Sequence, residues 1–362
     1  MSDTDSRYGL AALLKPAALL RLGGIAVLLA AAAAAFAWAG GWLAPHRLDR
    51  QRIINELEAV NGVHPGFRRN HAKGVCLSGW FDSNGAGVAL SRAQVFRPGR
   101  VPVFGRFALA GGMPRTADSP AAVRSMALNF TLPDGEVWRT GMNDIPVFPV
   151  KDARGFYDQL VANRPDPRTG KPDPAALKAF RAAHPEAVAA AGIIKAAPVS
   201  SGFANARYNG LDAFRFIDAA GHVTNVRWSM VPADAFAAQT MPPPSDHDYL
   251  FDALIARIRK GPAQWHLVVT VAAPGDPTDN AALPWPATRR QVDVGTLTVS
   301  AITAEAAGNC RDINFDPLVL PDGIAPSDDP LLSARSAAYS LSFTRRAREP
   351  KTPSAVMPGK GA

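Results

Sequence analysis

The sequence predicts an α+β protein, an antiparallel β-barrel core with surrounding helices, preceded by one N-terminal transmembrane helix. Short alternating or continuous apolar segments, bounded by Gly, Pro and Asp, fall into two groups at about residues 75–140 and 206–302. Strands of that length and spacing pair antiparallel around one core. Between the groups the apolar period becomes helical, and the alternation of strands, helices, strands, helix and strands argues against a parallel sheet. Ahead of everything lies an uncharged run, Leu22 to Pro45, whose ~20 apolar residues match the hydrocarbon thickness of a bilayer.

Taken in order, Arg7, Lys15 and Arg21 precede that run. They favour a cytoplasmic segment 1–21 and an exported, periplasmic body held at the inner membrane by an anchor at 22–45. Trp38 and Trp42 suit the interface belt, whereas His46, Arg47, Arg50 and Arg52 oppose the orientation. Ala37-Trp38-Ala39 offers a small-x-small cleavage site, so a removable signal is the alternative, although the run is longer than a signal core. Asp49 to Val60 then presents Ile53, Ile54, Leu57 and Val60 on one helical face. Strands are expected at Val75–Phe81, Val103–Leu109, Ser125–Phe130 and Glu136–Thr140, with Pro133-Asp134-Gly135 turning the last pair. From Lys151 to Lys195 the pattern is helical, with Asp173 as N-cap, Pro174 at the first helical position and Pro185 opening the next helix. Strands return at Ala206–Ile217, His222–Met230, Trp265–Val271 and Val292–Ile302, with a helix Ser245–Lys260 ended by Gly261. The tail 349–362 is rich in Pro, Lys, Ser and Gly and is expected to be disordered.

With 362 residues, 47% of them hydrophobic, the chain buries a large core. The charge of +8 comes from scattered Lys and Arg, with no nucleic-acid motif, which points to an anionic lipid surface and not to nucleic acid. Cys76 and Cys310 could form one disulfide in an oxidising compartment, but they lie far apart and Cys76 falls in an apolar strand, so two buried thiols are expected. No CxxC or Cys/His metal spacing occurs.

The stretch that carries chemistry is Arg68-Arg69-Asn70-His71-Ala72-Lys73-Gly74, followed by the alternating Val75 to Phe81. It sets an imidazole at the mouth of a strand, and two guanidinium groups just ahead of it imply a negatively charged partner. Alone, His71 reads as a solvated loop residue and Tyr339 as an amphipathic packing residue.

In company these residues resemble the haem catalases. His-Ala-Lys-Gly with Gly79-Trp80-Phe81 resembles the distal-histidine segment, Arg106-Phe107 with Gly111-Gly112 the next strand, and Asn143 with Pro146-Val147-Phe148 and Asp152 the distal-asparagine segment. Phe315-Asp316-Pro317, Pro321-Asp322-Gly323-Ile324 and then Arg335-x-x-x-Tyr339 resemble the run into the proximal ligand. Five segments in order over residues 60–346 are far more specific than any one of them, and the chain is similar to the small catalase-related haem peroxidases.

The resemblance implies a haem domain over 46–348 that binds haem b, with Tyr339 as the iron ligand and Arg335, on the same helical face, donating to its oxygen. It implies His71 as the acid-base group, Asn143 (or a neighbour, Met142 or Asp144) as the amide that positions peroxide, and Arg68, Arg106 and Arg346 as partners of the propionates. Phe148 and Phe156 would be apolar haem contacts. The implied activity is reduction of organic hydroperoxides, and of hydrogen peroxide, through a ferryl intermediate with an unidentified electron donor. The rivals are a hydroperoxide isomerase or dehydratase on the same fold, and a non-enzymatic haem-binding barrel. Three departures bear on this: Ala108 stands where catalases place a serine beside the histidine, Asn70 replaces a small apolar residue, and Ser340 follows the tyrosine where proline is usual.

Overall fold

A computed structural model describes residues 16–40, 48–239 and 246–358 and divides the chain into two units, Met1–Asp49 and Arg50–Ala362. The first unit contains helix α1 (Pro16–Ala39), of which Leu19–Ala39 is long and apolar enough to cross a membrane. Arg7, Lys15, Trp42, His46 and Arg47, used above for orientation, lie outside the described residues.

The second unit is built on ten strands: β1 (Gly74–Ser83), β2 (Gly99–Leu109), β3 (Arg124–Thr131), β4 (Val137–Asn143), β5 (Tyr208–Asn209), β6 (Phe214–Ile217), β7 (Val223–Pro232), β8 (Ala263–Val271), β9 (Gln291–Thr303) and β10 (Ile324–Pro326). The order β1-β2-β3-β4-β5-β7-β8-β9 closes back on β1, an antiparallel barrel of eight strands, with β6 and β10 extending from β7. Closure leaves these eight without a free edge. The interior is packed with aromatic and aliphatic side chains. Phe130 stacks on Trp138 with ring centroids 4.8 Å apart, and Trp138 meets Trp228 edge-on at 5.2 Å.

Helices α2 (Arg50–Asn61), α3 (Ala153–Ala162), α4 (Pro174–Ala183), α5 (Pro185–Ala196), α6 (Tyr249–Arg259) and α7 (Pro330–Ala347) surround the barrel. Their starts follow local chemistry. The Asp152, Asp173 and Asp329 side chains accept from Gly155 N, Ala175 N and Leu331 N, and Pro174, Pro185 and Pro330 occupy first-turn positions. α7 runs through Ser340 without a break, the helical backbone that a proline at that position would have interrupted.

Four expectations need correction. Ala206–Ile217 is two short strands, because Gly210 packs against the Trp228 indole and its N–H bonds to Trp228 O, turning the chain there. The helix expected from Ser245 starts at Tyr249, with Asp248 at its cap position, and Ser245 lies outside the described residues. The tail is not free through Pro358. The Glu349 carboxylate bonds to Arg69 and to Gly66 N, Thr352 O accepts from Arg311, and Val356 is buried. The fourth correction concerns the cysteines, which are bonded to each other.

The loop entering β1 is anchored by Lys73, whose ammonium is buried against Asp118 at 2.7 Å and Asp248 at 2.6 Å. Replacing Lys73 with Met would leave Asp118 with its carboxylate buried and no cation beside it. Breaking a buried pair from one side costs about 3–5 kcal/mol, so urea denaturation of Lys73→Met should show a stability loss of that order. A loss below about 1 kcal/mol, the level of an exposed pair, would show that the anchor is dispensable.

Candidate active site

The site lies on the outer face of β1–β4, where the two-residue period of a strand separates packing from chemistry. Inward positions such as Val75, Phe107, Leu128 and Trp138 fill the barrel. Outward positions align across the strands in two rows, Cys76–Arg106–Ala127–Gly141 and Gly74–Ala108–Ser125–Asn143. Opposite them stands α7, whose stripe Ala334, Arg335, Ala338, Tyr339, Ser342, Phe343 and Arg346 recurs at helical spacing. The cavity between, counted out to its open mouth, has about 1290 Å³ of empty space. The loop before β1 contributes Arg68 and His71, β2 contributes Arg106, β4 contributes Asn143, Phe148 and Phe156 come from α3 and the segment leading to it, and Arg335, Tyr339 and Arg346 come from α7. All the residues expected at the site thus meet in one cavity.

At one end three guanidinium groups crowd around a single carboxylate. Arg68 and Arg106 bond to Glu305 Oε1 at 3.0 and 2.9 Å. Arg68 also donates to Cys310 O and Ile313 O, and Arg346 to Arg311 O. Arg106 Nη2 and Arg346 Nε are buried without a partner. Burial, with the charges of Arg106 and Arg346, pushes Arg68 well below the usual arginine range, and burial brings Arg346 down to about 10. Two positive charges therefore stand unmatched in the cluster. Gly74 belongs to it because a Cβ there would come within 2.3 Å of Arg106 Nη2. Arg69, the other arginine ahead of His71, turns away to Glu58 and Glu349.

The carbonyls that hold Arg68 and Arg346 belong to the turn Cys310–Asp312 and to Ile313 just after it. A Cys76–Cys310 disulfide ties that turn to β1, where two free thiols were expected. Strand periodicity marks Cys76 as part of an apolar strand but cannot say that a distant turn folds over the same outward position. Phe315 and Tyr339 pack around the bridge.

His71 is the one non-glycine among the described residues with positive φ, at 55°. Asn70 stabilises that conformation, its Oδ1 accepting from both His71 N and Gly111 N at 2.9 Å, so its carbonyl oxygen is used by the backbone instead of adding polarity to the cavity. Arg106 donates to His71 O. The imidazole Nδ1 lies 2.9 Å from Ser125 Oγ, which in turn bonds to Asn143 Oδ1 at 2.5 Å. The ring is therefore held although Ala108 stands where catalases place a serine. Ser125 is paired with Ala108 across β2–β3 and supplies the missing hydroxyl. No short-range signal reveals it, because the long connection 110–123 leaves the register unspecified by any tight turn. Of Asn143 and its neighbours, Met142 packs with the barrel core and Asp144 bonds to Arg124, while the Asn143 side chain bonds to Ser125 beside His71.

On the α7 side Arg335 pairs with Asp212 close to the Tyr339 hydroxyl. Burial works against the Arg335 charge, but Asp212 and Tyr339 outweigh it and raise its pKa. Asp329 is pushed up to about 7 by burial and by Asp212, and its Oδ2 has no partner. Gly141 faces these groups, a Cβ there standing 3.6 Å from Tyr339 Oη and 3.7 Å from Arg335 Nη2. Neither Asp212 nor Glu305 was anticipated, since each lies far in sequence from the groups it serves.

Comparison with known proteins gives one consistent pattern. A family model described as Catalase matches residues 43–350. The chain is 38% identical over 328 residues to a catalase-related peroxidase of Synechococcus elongatus, covering 90% of this chain and 96% of that protein. It is 33% identical over 302 residues to a catalase-related peroxidase of Mycolicibacterium paratuberculosis, covering 83% and 95%. Its fold resembles the structure of a bacterial catalase with TM-score 0.68 at 20% identity, covering 77% of this chain and 57% of that one. A fungal catalase matches with TM-score 0.69 at 18% identity, covering 80% and 63%.

Two measurements follow from the geometry. Replacing both cysteines with serine removes a cross-link over most of the chain, for which the expected loss is about 2–5 kcal/mol. Urea midpoints of the variant and of the oxidised parent, read without added ligand, measure it, and equal midpoints would mean that the bridge does not constrain the fold. The second measurement concerns His71, whose pKa falls to about 3, first through burial and then through Arg106, Arg335 and Arg68. The folded chain holds this imidazole neutral while the unfolded chain protonates it near 6.5. The group's contribution to stability is therefore present above 6.5 and lost as pH falls toward 3. His71→Gln should gain stability relative to the parent across that window, and a pH-independent difference would contradict the depressed value.

Proposed function

Because this chain belongs to the catalase family and is a peroxide oxidoreductase, we propose that it is a haem-dependent peroxidase that reduces organic hydroperoxides. The observation that carries the proposal is one cavity with two unlike polar walls, His71 and Asn143 on the strand side and Tyr339 with Arg335 on the helix side. Three features support haem there. The two unmatched positive charges and the orphaned Arg106 Nη2 and Arg346 Nε suit a pair of propionates. The small outward residues Ala108, Ala127 and Gly141 leave room for a flat group. Tyr339 offers an oxygen ligand, beside a guanidinium that would balance an anionic one. When bound, haem supplies the redox chemistry of O–O cleavage.

The chain's own residues would handle protons and position. Neutral His71 takes the proton from the attacking oxygen of the peroxide and returns it to the departing one, which leaves as water or an alcohol. The Asn143 amide donates a hydrogen bond that orients the peroxide. Arg68, Arg106 and Arg346 hold the acid groups of the cofactor, and Phe148 and Phe156 pack on its apolar part. Ile53, Ile54 and Leu57 of α2, with Leu211, extend the cavity with apolar surface, which favours a substrate with a hydrocarbon part over hydrogen peroxide alone. The electrons come from an external donor. Helix α1 supports anchoring at a membrane, and the Cys76–Cys310 bridge supports an oxidising compartment such as the periplasm.

Haem titration and turnover of Tyr339→Phe and His71→Ala test the assignment. The first should lose tight haem binding. The second should keep haem and lose about 100- to 10,000-fold in peroxide cleavage. Wild-type spectra and rates in both would overturn the roles. Substrate class is read by comparing oxygen release from hydrogen peroxide with donor oxidation by an alkyl hydroperoxide. Donor oxidation with alcohol as product is expected, whereas oxygen release faster by orders of magnitude would mark a true catalase, and a rearranged product formed without donor would mark an isomerase.

A further inference from the structure

We propose that Ser125 is a positioning residue whose single hydroxyl sets both the tautomer of His71 and the amide orientation of Asn143. The inference rests on the peroxidase reading for its use, but its geometry stands apart from that reading.

The argument is one of counting hydrogens. A serine hydroxyl has one hydrogen to donate and lone pairs with which to accept. Ser125 Oγ has two partners, His71 Nδ1 at 2.9 Å and Asn143 Oδ1 at 2.5 Å. A separation of 2.5 Å belongs to O–H···O bonds and is short for N–H···O, whereas 2.9 Å is ordinary for N–H···O. The hydrogen therefore lies on the bond to Asn143, whose oxygen accepts it, and Ser125 Oγ must accept from His71. That requires a proton on Nδ1, so Nε2 of the neutral imidazole carries a free lone pair. The Asn143 oxygen being occupied, its NH₂ is the part left for a ligand.

One chain of bonds, His71 Nδ1–H to Ser125 Oγ–H to Asn143 Oδ1, thus presents an acceptor at Nε2 beside a donor at Asn143 Nδ2. A hydroperoxide needs that pair, since its O–H must give up a proton while its oxygens accept a hydrogen bond. The reversed chain, with Ser125 donating to His71, would protonate Nε2 and remove the base. The bonds are held in register because Ser125 is paired with Ala108 on β2 and with Asn143 on β4. Ala108 adds no polar group to compete for the hydroxyl. The backbone of His71 is fixed independently by Asn70 and Arg106, so loss of Ser125 should free the ring without releasing the loop.

The test is nitrogen NMR of the full chain with ¹⁵N-labelled histidine, the His71 signals being assigned by their loss in His71→Gln. In the parent, His71 should be neutral with its proton on Nδ1. In Ser125→Ala the proton should redistribute to Nε2, and in Ser125→Thr, which keeps the hydroxyl, it should return to Nδ1. With haem supplied, kcat/KM for an alkyl hydroperoxide should fall about 10- to 100-fold in Ser125→Ala, of the order seen when the partner of a metal-bound imidazole is removed, and recover in Ser125→Thr. A parent spectrum with the proton on Nε2 overturns the proposal even if Ser125→Ala does not fold. So does an unchanged tautomer in a folded Ser125→Ala. A Ser125-dependent tautomer in a chain that cleaves no peroxide supports the relay and refutes the peroxidase reading.

Discussion

Two buried positive charges without matching carboxylates are the constraint on which the rest of the site depends. Taking guanidinium groups out of water costs several kcal/mol each unless bonds replace the lost hydration. Glu305 and the carbonyls of residues 310–313 supply part of that replacement, and an anionic occupant would supply the remainder. The same charges reach across the cavity to His71, adding to the burial that keeps its imidazole neutral. Orphaned guanidinium nitrogens and an imidazole held neutral are here consequences of one arrangement.

Holding like charges together requires a rigid frame, and the barrel provides it. Its interior is filled by large aromatic and aliphatic side chains, so the outward rows on β1–β4 cannot shift singly without disturbing that packing. The disulfide extends the frame to a turn that strand pairing does not reach, bringing the carbonyl partners of Arg68 and Arg346 to the outward face of β1. Helix α7 completes the cavity with a stripe that joins a phenol, two guanidinium groups and small spacers at helical period. Sites carried on such elements keep their geometry without a ligand to organise them.

The two walls divide the chemistry. On the strand wall Ser125 and Asn70 are small polar residues whose hydrogen bonds leave His71 one ring nitrogen for the cavity. On the helix wall the Arg335–Asp212 pair, with Asp329 nearby, balances charge around Tyr339. The first wall carries a neutral imidazole and the second a phenol beside a guanidinium, the asymmetry on which the proposed peroxide cleavage would draw.

The sequence by itself determined most of the elements, which depend on local pattern, and through the family resemblance it pointed to the residues that line the cavity. Strand alternation, Asp-Pro helix starts and the spacing of Arg335 to Tyr339 are short-range signals that survive in one dimension. His71, Arg68, Arg106 and Tyr339 were legible through motifs in fixed order. Only the tertiary structure decided the register of β2 on β3, which puts Ser125 where Ala108 has no hydroxyl, the closure of Cys76 on Cys310, and the choice of Glu305 and Asp212 as counter-charges. Each of these joins segments separated by a long connection or most of the chain. Their meeting is fixed by barrel closure and by the burial of α7, which no local period records.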